Sequence, residues 1–465
     1  MLNSQLITDF GSKLHGKLTQ PGDPDYHEKR KLYNGMFDKR PALIASCLDE
    51  SDVVKAVNFA RENGLLLAVR GGGHNAAGLG SCDDGLLIDL SLMKQIRVDP
   101  IGEKVTVEGG CTLGELDKAT FAFGMMVPSG IISTTGVGGI TLGGGLGHFT
   151  RQYGLSIDNL LEANLVLASG ERVKATPSEN EDLFWAIRGG GGNFGVVTSF
   201  VFRTHPAKEV IAGPMLWEME EAKAIMKWYR KFIPTAPENI SGFFAFLTVP
   251  PGDPFPQHLH MKKMCGIVWS YTGPKEDAEA AFKEIREFRT PALDFVGPLP
   301  IPALQSMFDA VYPPGLQWYW KADFVKELSD DAIDQHIAYG EKMPTMHSTM
   351  HLYPINGAAA RVPKDATAWA YRDAIWAEVI VGVDPDPANK DKITDWAKAY
   401  WNALHKYSMG GAYINFMMEE GEDRIKATYG DNYDKLVAIK NKYDPGNLFC
   451  VNQNIKPTVE KGALA

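Results

Sequence analysis

The chain has 465 residues, 45% hydrophobic and 22% charged, with 47 Lys and Arg against 57 Asp and Glu for a formal net charge of −10. These are globular proportions with length for about three domain-sized units. An acidic balance without a basic cluster interleaved with aromatics argues against nucleic acid or an anionic membrane as partner.

The first residues show no basic stretch followed by an apolar run, and no segment approaches about 18 uninterrupted apolar residues. The five cysteines are scattered without a CxxC spacing, and no HxH or HExxH spacing occurs on a helix or strand. A membrane span, a disulfide framework and a metal are therefore not expected, and the cytoplasm is the expected compartment.

In chain order, Ser51 can cap a helix with Val53, Val54, Val57, Phe59 and Ala60 on its apolar side, ending at Gly64, before a buried strand at 65–69. Strands follow at 86–90 and 105–108. Thr112 with Glu115 three residues later reads as a capping box opening a helix through Phe123. Further strands fall at 165–168 and 196–202. From about Ala207 the texture changes to longer elements rich in Trp, Tyr and Phe: strands at 243–249 and 265–271, a helix at 275–288, strands at 379–383 and 412–416, and a helix at 433–442 before Asp444–Pro445–Gly446. This predicts an antiparallel sheet backed by helices. The boundaries implied are 1–206, 207–420 and a final 421–465 that could return to the first unit.

The 47 glycines concentrate in three places. The first is Arg70–Gly71–Gly72–Gly73–His74–Asn75, directly after a strand, with Gly78 and Gly80 following. Clustered glycine amides can point several N–H donors into one small volume, as a pyrophosphate requires. The spacing is neither GxGxxG nor GxxxxGK[ST]. The second stretch, Gly130 to Gly147, holds eight glycines in 18 positions; it includes Thr134, Thr135, Gly136, Gly138, Gly139, Leu142, Gly144 and Gly145. Glycine costs entropy in helices and strands alike, so a ligand lying along the backbone is the better explanation. The third, Gly189 to Gly195, joins a helix to Val196 and Val197.

RGGGHN, GVGGITLGGGLGHFTRQYGLSIDN and DLFWAIRGGGGNFGVVTSF together resemble the flavin-linked oxidases of the berberine bridge enzyme type, within the vanillyl-alcohol oxidase superfamily. Asn447–Leu448–Phe449 and Asn452–Gln453–Asn454 match the same family. The motifs are also similar to those of its bacterial 6-hydroxynicotine oxidase branch. The resemblance implies an α+β fold in which FAD lies extended between two small subdomains, beneath a substrate domain with an antiparallel sheet. The cofactor contacts it implies are Arg70, Gly71, Gly72, Gly73, His74, Asn75, Gly78, Gly130, Thr134, Thr135, Gly138, Gly139, Leu142, Gly144, Gly145, Gly147, Gly192, Val196, Val197, Asn452 and Asn454.

His74 matches the histidine that bonds covalently to the flavin 8α-methyl. Ile132 stands where many members carry a second, cysteinyl link, so a single histidyl link is implied. Thr135 occupies the gatekeeper position beside the flavin, where Val goes with reaction with dioxygen and Leu blocks it; Thr matches Val in size. The implied reaction removes hydride from a C–H beside OH or NH to flavin N5 and reduces dioxygen to hydrogen peroxide. The implied substrate is an alcohol or sugar hemiacetal. An amine, as in the 6-hydroxynicotine oxidase branch, a dehydrogenase that does not use dioxygen, and a binding or sensing flavoprotein are alternatives. Leu146 replaces a tyrosine that plant members often use, so the base is sought elsewhere. Candidates are Tyr413 with Asn415, matching the family's AYxNY, and His351 with Tyr353. His titrates near neutral pH and suits that role. Trp318 and Trp320 could stack on a sugar or a ring, or serve as packing. His148, Arg188, Asp158 and Asn159 read as structural.

Overall fold

The computed structural model describes residues 3–207 and 209–458. Its amino-terminal half begins with a four-stranded sheet. Leu43–Ser46, Leu86–Asp89 and Leu67–Arg70 run parallel, and Lys17–Thr19 pairs antiparallel at one edge. The first two of these parallel strands are buried throughout, as parallel strands covered on both faces are. The helix Glu50–Glu62 packs beside them. Its N-cap is Asp49, whose side chain accepts the Asp52 N–H, rather than Ser51. Aspartate and serine cap about equally well, and the earlier cap adds Glu50 and Ser51 to the helix.

A second sheet is antiparallel, in the order Ile96–Asp99, Lys104–Glu108, Val196–Arg203, Leu160–Val166, Arg172–Ala175. The fourth of these begins earlier than the apolar run 165–168 predicts. Glu162 and Asn164 lie on its partly exposed face while Ala163 and Leu165 are buried, so its first half alternates. The capping box is as read: the Glu115 carboxylate accepts the Thr112 N–H at 2.7 Å.

The second half is dominated by one antiparallel sheet. Its order is Leu293–Asp294, Val210–Glu218, Lys263–Tyr271, Ile240–Thr248, Thr349–Pro354, Trp376–Asp384, Gln317–Val325, with Gly297–Leu299 also pairing Val210–Glu218. Side-chain alternation divides it. Phe244, Phe246, Ile267, Leu352 and Ile380 pack against the helices Ala222–Phe232, Ala278–Phe288, Asp330–Gly340 and Lys390–Leu404. Phe243, Ala245, Val268, Tyr353, Val379 and Val381 point the other way. The chain is thus α+β.

The predicted strand at 412–416 is absent. Tyr413 starts a turn into the short 3-10 helix Ile414–Phe416. Met409 and Gly411 bond to Phe324 on the edge strand Gln317–Val325, but from Tyr413 on the chain turns away and its polar side chains bond to the glycine stretch instead. The carboxy-terminal segment returns to the first half: the buried Lys440 ammonium donates to the carbonyls of Asn193 and Phe449 and pairs with Asp444 at 2.7 Å. No helix among the described residues is long and apolar enough to cross a membrane.

Candidate active site

The three glycine stretches, the carboxy-terminal segment and the open face of the large sheet enclose one cavity of about 980 Å³. Its two halves differ chemically. Backbone and small residues from 67–197 and 449–453 line one, and side chains of the large sheet and the loops beside it line the other.

On the backbone side, Gly72 and Gly136 bring two loops together so closely that a Cβ on Gly72 would stand 2.3 Å from the Gly136 nitrogen. Gly71 likewise lies against the Gly109 carbonyl, Gly73 turns the chain at φ +73°, and Gly130 gives room to Ile140. Gly138 sits over the Gly109 carbonyl. A Cβ on Gly139 or Gly192, by contrast, would meet no protein atom within 4 Å, and both face open cavity. Leu142, Val196 and Val197 complete this wall.

Several residues implied as cofactor contacts stand away from the cavity or turn inward. Gly78 lies under Phe37, Gly144 against Trp369, Gly145 against Ser156 and Gly147 against the Ser129 carbonyl, and none lines the cavity. Their missing side chains make room for protein. Arg70 lines the cavity, but its guanidinium is committed inward, paired with Asp89 at 3.0 Å and donating to the Lys31 carbonyl. Asn75 builds its own turn, accepting from Ala77 and Leu79. Asn452 is on the wall and holds the Gly192 carbonyl, while Asn454 stands behind it.

His74 occupies the junction of the halves. Its ring stacks on Tyr33 with centroids 3.8 Å apart. The Thr134 hydroxyl is 3.0 Å from Nε2 and the Thr135 hydroxyl 3.5 Å from Nδ1. Burial pulls its pKa down to about 3, so the imidazole is neutral near pH 7. Thr134 is therefore a partner of His74 and does not itself line the cavity. Ser133, one residue earlier, is tied through its backbone N–H and hydroxyl to Asp309 of the opposite half.

Across the cavity, His351 and Tyr353 share a face of their strand, with Nδ1 and the phenol oxygen 2.7 Å apart. Burial lowers the His351 pKa to about 3 and raises that of Tyr353. Tyr413 and Asn415 also meet, through the turn rather than through strand alternation. The Tyr413 oxygen accepts from Asn415 Nδ2 at 2.8 Å and from the backbone N–H groups of Gly145 and Leu146 at 3.0 and 3.4 Å. Three donors occupy its lone pairs and burial raises its pKa, so the O–H, not a free lone pair, is what it can offer a ligand.

Sequence reasoning missed Tyr33, Phe243, Phe308, Tyr312 and Phe416 as cavity residues. None belongs to a glycine motif, and only the pleat of the large sheet would have signalled Phe243. Arg188, Asp158 and Asn159 bond to carbonyls, N–H groups and Arg372 as the structural reading requires. Outside the cavity, His15, Asp49 and Asp52 bring ligand-type atoms within 4.8 Å, but Asp52 is taken up by the N–H groups of His15, Gly16 and Leu48.

A family model described as an FAD binding domain matches residues 41–176, and one described as berberine and berberine like matches 412–456. An FAD-linked oxidoreductase of Dictyostelium discoideum is 34% identical over 459 residues, covering 98% of this chain and 97% of its own. The chain belongs to the berberine bridge enzyme-like FAD-linked oxidoreductases of the vanillyl-alcohol oxidase family. Another relative of this berberine bridge enzyme-like chain, (R)-6-hydroxynicotine oxidase of Paenarthrobacter nicotinovorans, is 37% identical over 485 residues, covering 98% and 99% of the two chains. Berberine bridge enzyme-like 1 of Physcomitrella patens has the same fold, with a TM-score of 0.87, 25% identity and coverage of 98% and 99%.

The cavity suits the FAD of this family. Gly139 and Gly192 leave space along the backbone wall, and on that wall the buried side-chain oxygen of Asn452 has no protein partner. Unsatisfied buried acceptors beside an open wall are what a hydrogen-bonding ligand would complete.

Proposed function

We propose that the protein is an FAD-dependent oxidase with one covalent link, from His74 to the flavin 8α-methyl, acting on a small-molecule alcohol or amine with dioxygen as electron acceptor. The observation that carries this reading is His74 itself: a neutral imidazole at the cavity wall, stacked on Tyr33 and bracketed by two threonine hydroxyls. A neutral ring nitrogen is a competent nucleophile, and Ile132 offers no second attachment point. Bound FAD supplies the two-electron acceptor for a C–H beside oxygen or nitrogen.

In this reading Gly139 and Gly192 admit the cofactor, and Asn452 hydrogen-bonds to it. Thr134 orients the His74 ring, and Thr135 leaves a space of valine size beside it. His351 accepts a hydrogen bond from the substrate hydroxyl or amine, with Tyr353 fixing its ring. Tyr413 anchors the glycine stretch at Gly145 and Leu146 and directs its O–H toward the substrate. Similarity to (R)-6-hydroxynicotine oxidase supports including amines. Residues 1–206 with the returning 421–465 form the cofactor unit, and 207–420 the substrate unit.

Acid precipitation tests the proposal. Flavin colour stays with the pellet in the native protein and passes to the supernatant in His74→Ala, and dithionite-reduced protein recovers its colour in air. Colour lost to the supernatant from the native protein overturns the covalent link, and failure to recover in air overturns the oxidase.

A further inference from the structure

The substrate half of the cavity is walled by a near-continuous circuit of rings. From His74 it passes to Tyr33, then to Trp318 at 5.5 Å between centroids, Trp320 at 5.5 Å and Phe416 at 5.4 Å. It continues through Tyr353 at 5.8 Å to Phe243 at 4.8 Å and Phe308 at 6.3 Å. Tyr312 packs on Trp318 at 5.3 Å and its N–H bonds to the Phe308 carbonyl, which closes the loop.

Charge is nearly absent from this wall. Among the described cavity-lining residues between 209 and 420, Asp253 is the one formally charged side chain, and it is exposed on its loop. Polar side chains are few and some are already engaged, Thr349 donating to the Phe246 carbonyl and Asn415 Nδ2 shared between the Ile140 carbonyl and Tyr413, while Thr248, Tyr312 and His347 add isolated polar atoms. His351 has Nδ1 taken by Tyr353, which leaves Nε2 to meet a ligand.

Such a wall could take the C–H face of a sugar but offers few partners for its hydroxyls. Each hydroxyl brought in would give up water for a ring face and lose its hydrogen bonds. It is equally poor for an ion, which would have no buried counter-charge. Flat rings, by contrast, gain both area and favourable ring-to-ring geometry.

Resting on the oxidase reading above, we propose that the substrate is a flat, uncharged aromatic molecule whose reacting hydroxyl or amino group bonds to Nε2 of His351. Trp318, Trp320, Phe308 and Phe416 hold its ring, and the sugar hemiacetal is excluded as the substrate class.

Calorimetric titration of the flavin-loaded protein with 2-naphthol, 2-naphthoate and xylobiose tests this, with no need for turnover. Saturable binding of 2-naphthol is expected, at least tenfold tighter than either other probe and at least tenfold weaker in Trp320→Ala. Phe308→Ala is the second variant, in case the first melts early, and is expected to weaken binding in the same sense. Xylobiose or 2-naphthoate binding as tightly as 2-naphthol, no 2-naphthol binding at all, or unchanged affinity in folded Trp320→Ala and Phe308→Ala each overturns the proposal. Failure of the oxidase reading shows separately, as a protein without covalent flavin or one whose reduced flavin does not reoxidise in air.

Discussion

At the scale of single residues, the chemistry turns on how burial sets the state of each polar group. His74 stays neutral because water is kept from it, and its two hydroxyl neighbours fix the ring without charging it. Thr135 is the residue by which access of dioxygen is to be judged, since threonine and valine have nearly the same shape while leucine projects further. Thr135→Leu is expected to slow air reoxidation of the reduced protein by at least about tenfold, equivalent to ~1.4 kcal/mol of barrier. Thr135→Val is expected to stay within about twofold. Stopped-flow absorbance in the visible reads both, and equal rates for the leucine and native proteins would remove Thr135 from the oxygen path. Tyr413 shows the limit of motif reading. Its place in AYINF makes it a candidate base; three N–H donors on its oxygen favour the phenolate, and burial outweighs them and holds the proton on.

At the scale of elements, the glycine stretches divide by what a side chain would meet. Gly145 would drive a Cβ to 2.0 Å from Ser156, whereas Gly192 has ordinary backbone geometry and nothing within 4 Å. Gly192→Leu is therefore expected to keep the native melting temperature within a few degrees while lowering flavin content several-fold, read as the visible-to-ultraviolet absorbance ratio. Normal flavin content would show that this wall does not hold the cofactor. From the sequence the two glycines look alike, because the distinction lies in partners such as Ser156 and Trp369 that folding brings in. The capping box at Thr112 and Glu115 was legible because all its atoms lie within four residues. The 412–416 segment was not, since alternation of apolar and polar residues fits a strand and a turn equally, and the bonds of Tyr413 and Asn415 to the distant glycine stretch decide for the turn. His351 with Tyr353 was readable from the two-residue period of a strand. Tyr33 and Phe308 were not, as their places on the wall come from the packing of the two halves.

Over the whole molecule, buried titratable groups set the response to pH. Apart from His74, whose ring carries the proposed flavin link, His148, His336 and His351 are held at about 3 and His205 at about 4 by burial, against an ordinary 6.5. Below 6.5 the unfolded chain takes up protons that these four refuse in the folded state, so their contribution to stability is lost as pH falls toward 3. Two buried carboxyls act in the opposite sense. Asp117 is raised from 3.8 to about 8 and Glu378 is raised well above its ordinary range, so their contribution is lost as pH rises through that interval. Four groups outweigh two below 6.5, and above it the carboxyls alone remain. The melting temperature is expected to peak near pH 6.5 and to fall on both sides, the acid side by roughly 1.4 kcal/mol per pH unit for each unbalanced proton. A profile flat from pH 5 to 8 would contradict this balance. The central claim is chemical: one flavin, bonded to one histidine, in a cavity built by both halves. Tryptic cleavage after Arg70 and Lys94 isolates residues 71–94, and mass spectrometry of that peptide is the direct measurement. The account predicts a single flavin adduct that fragmentation assigns to His74. An unmodified peptide from protein that is yellow before digestion, or an adduct assigned to Cys82, would contradict it.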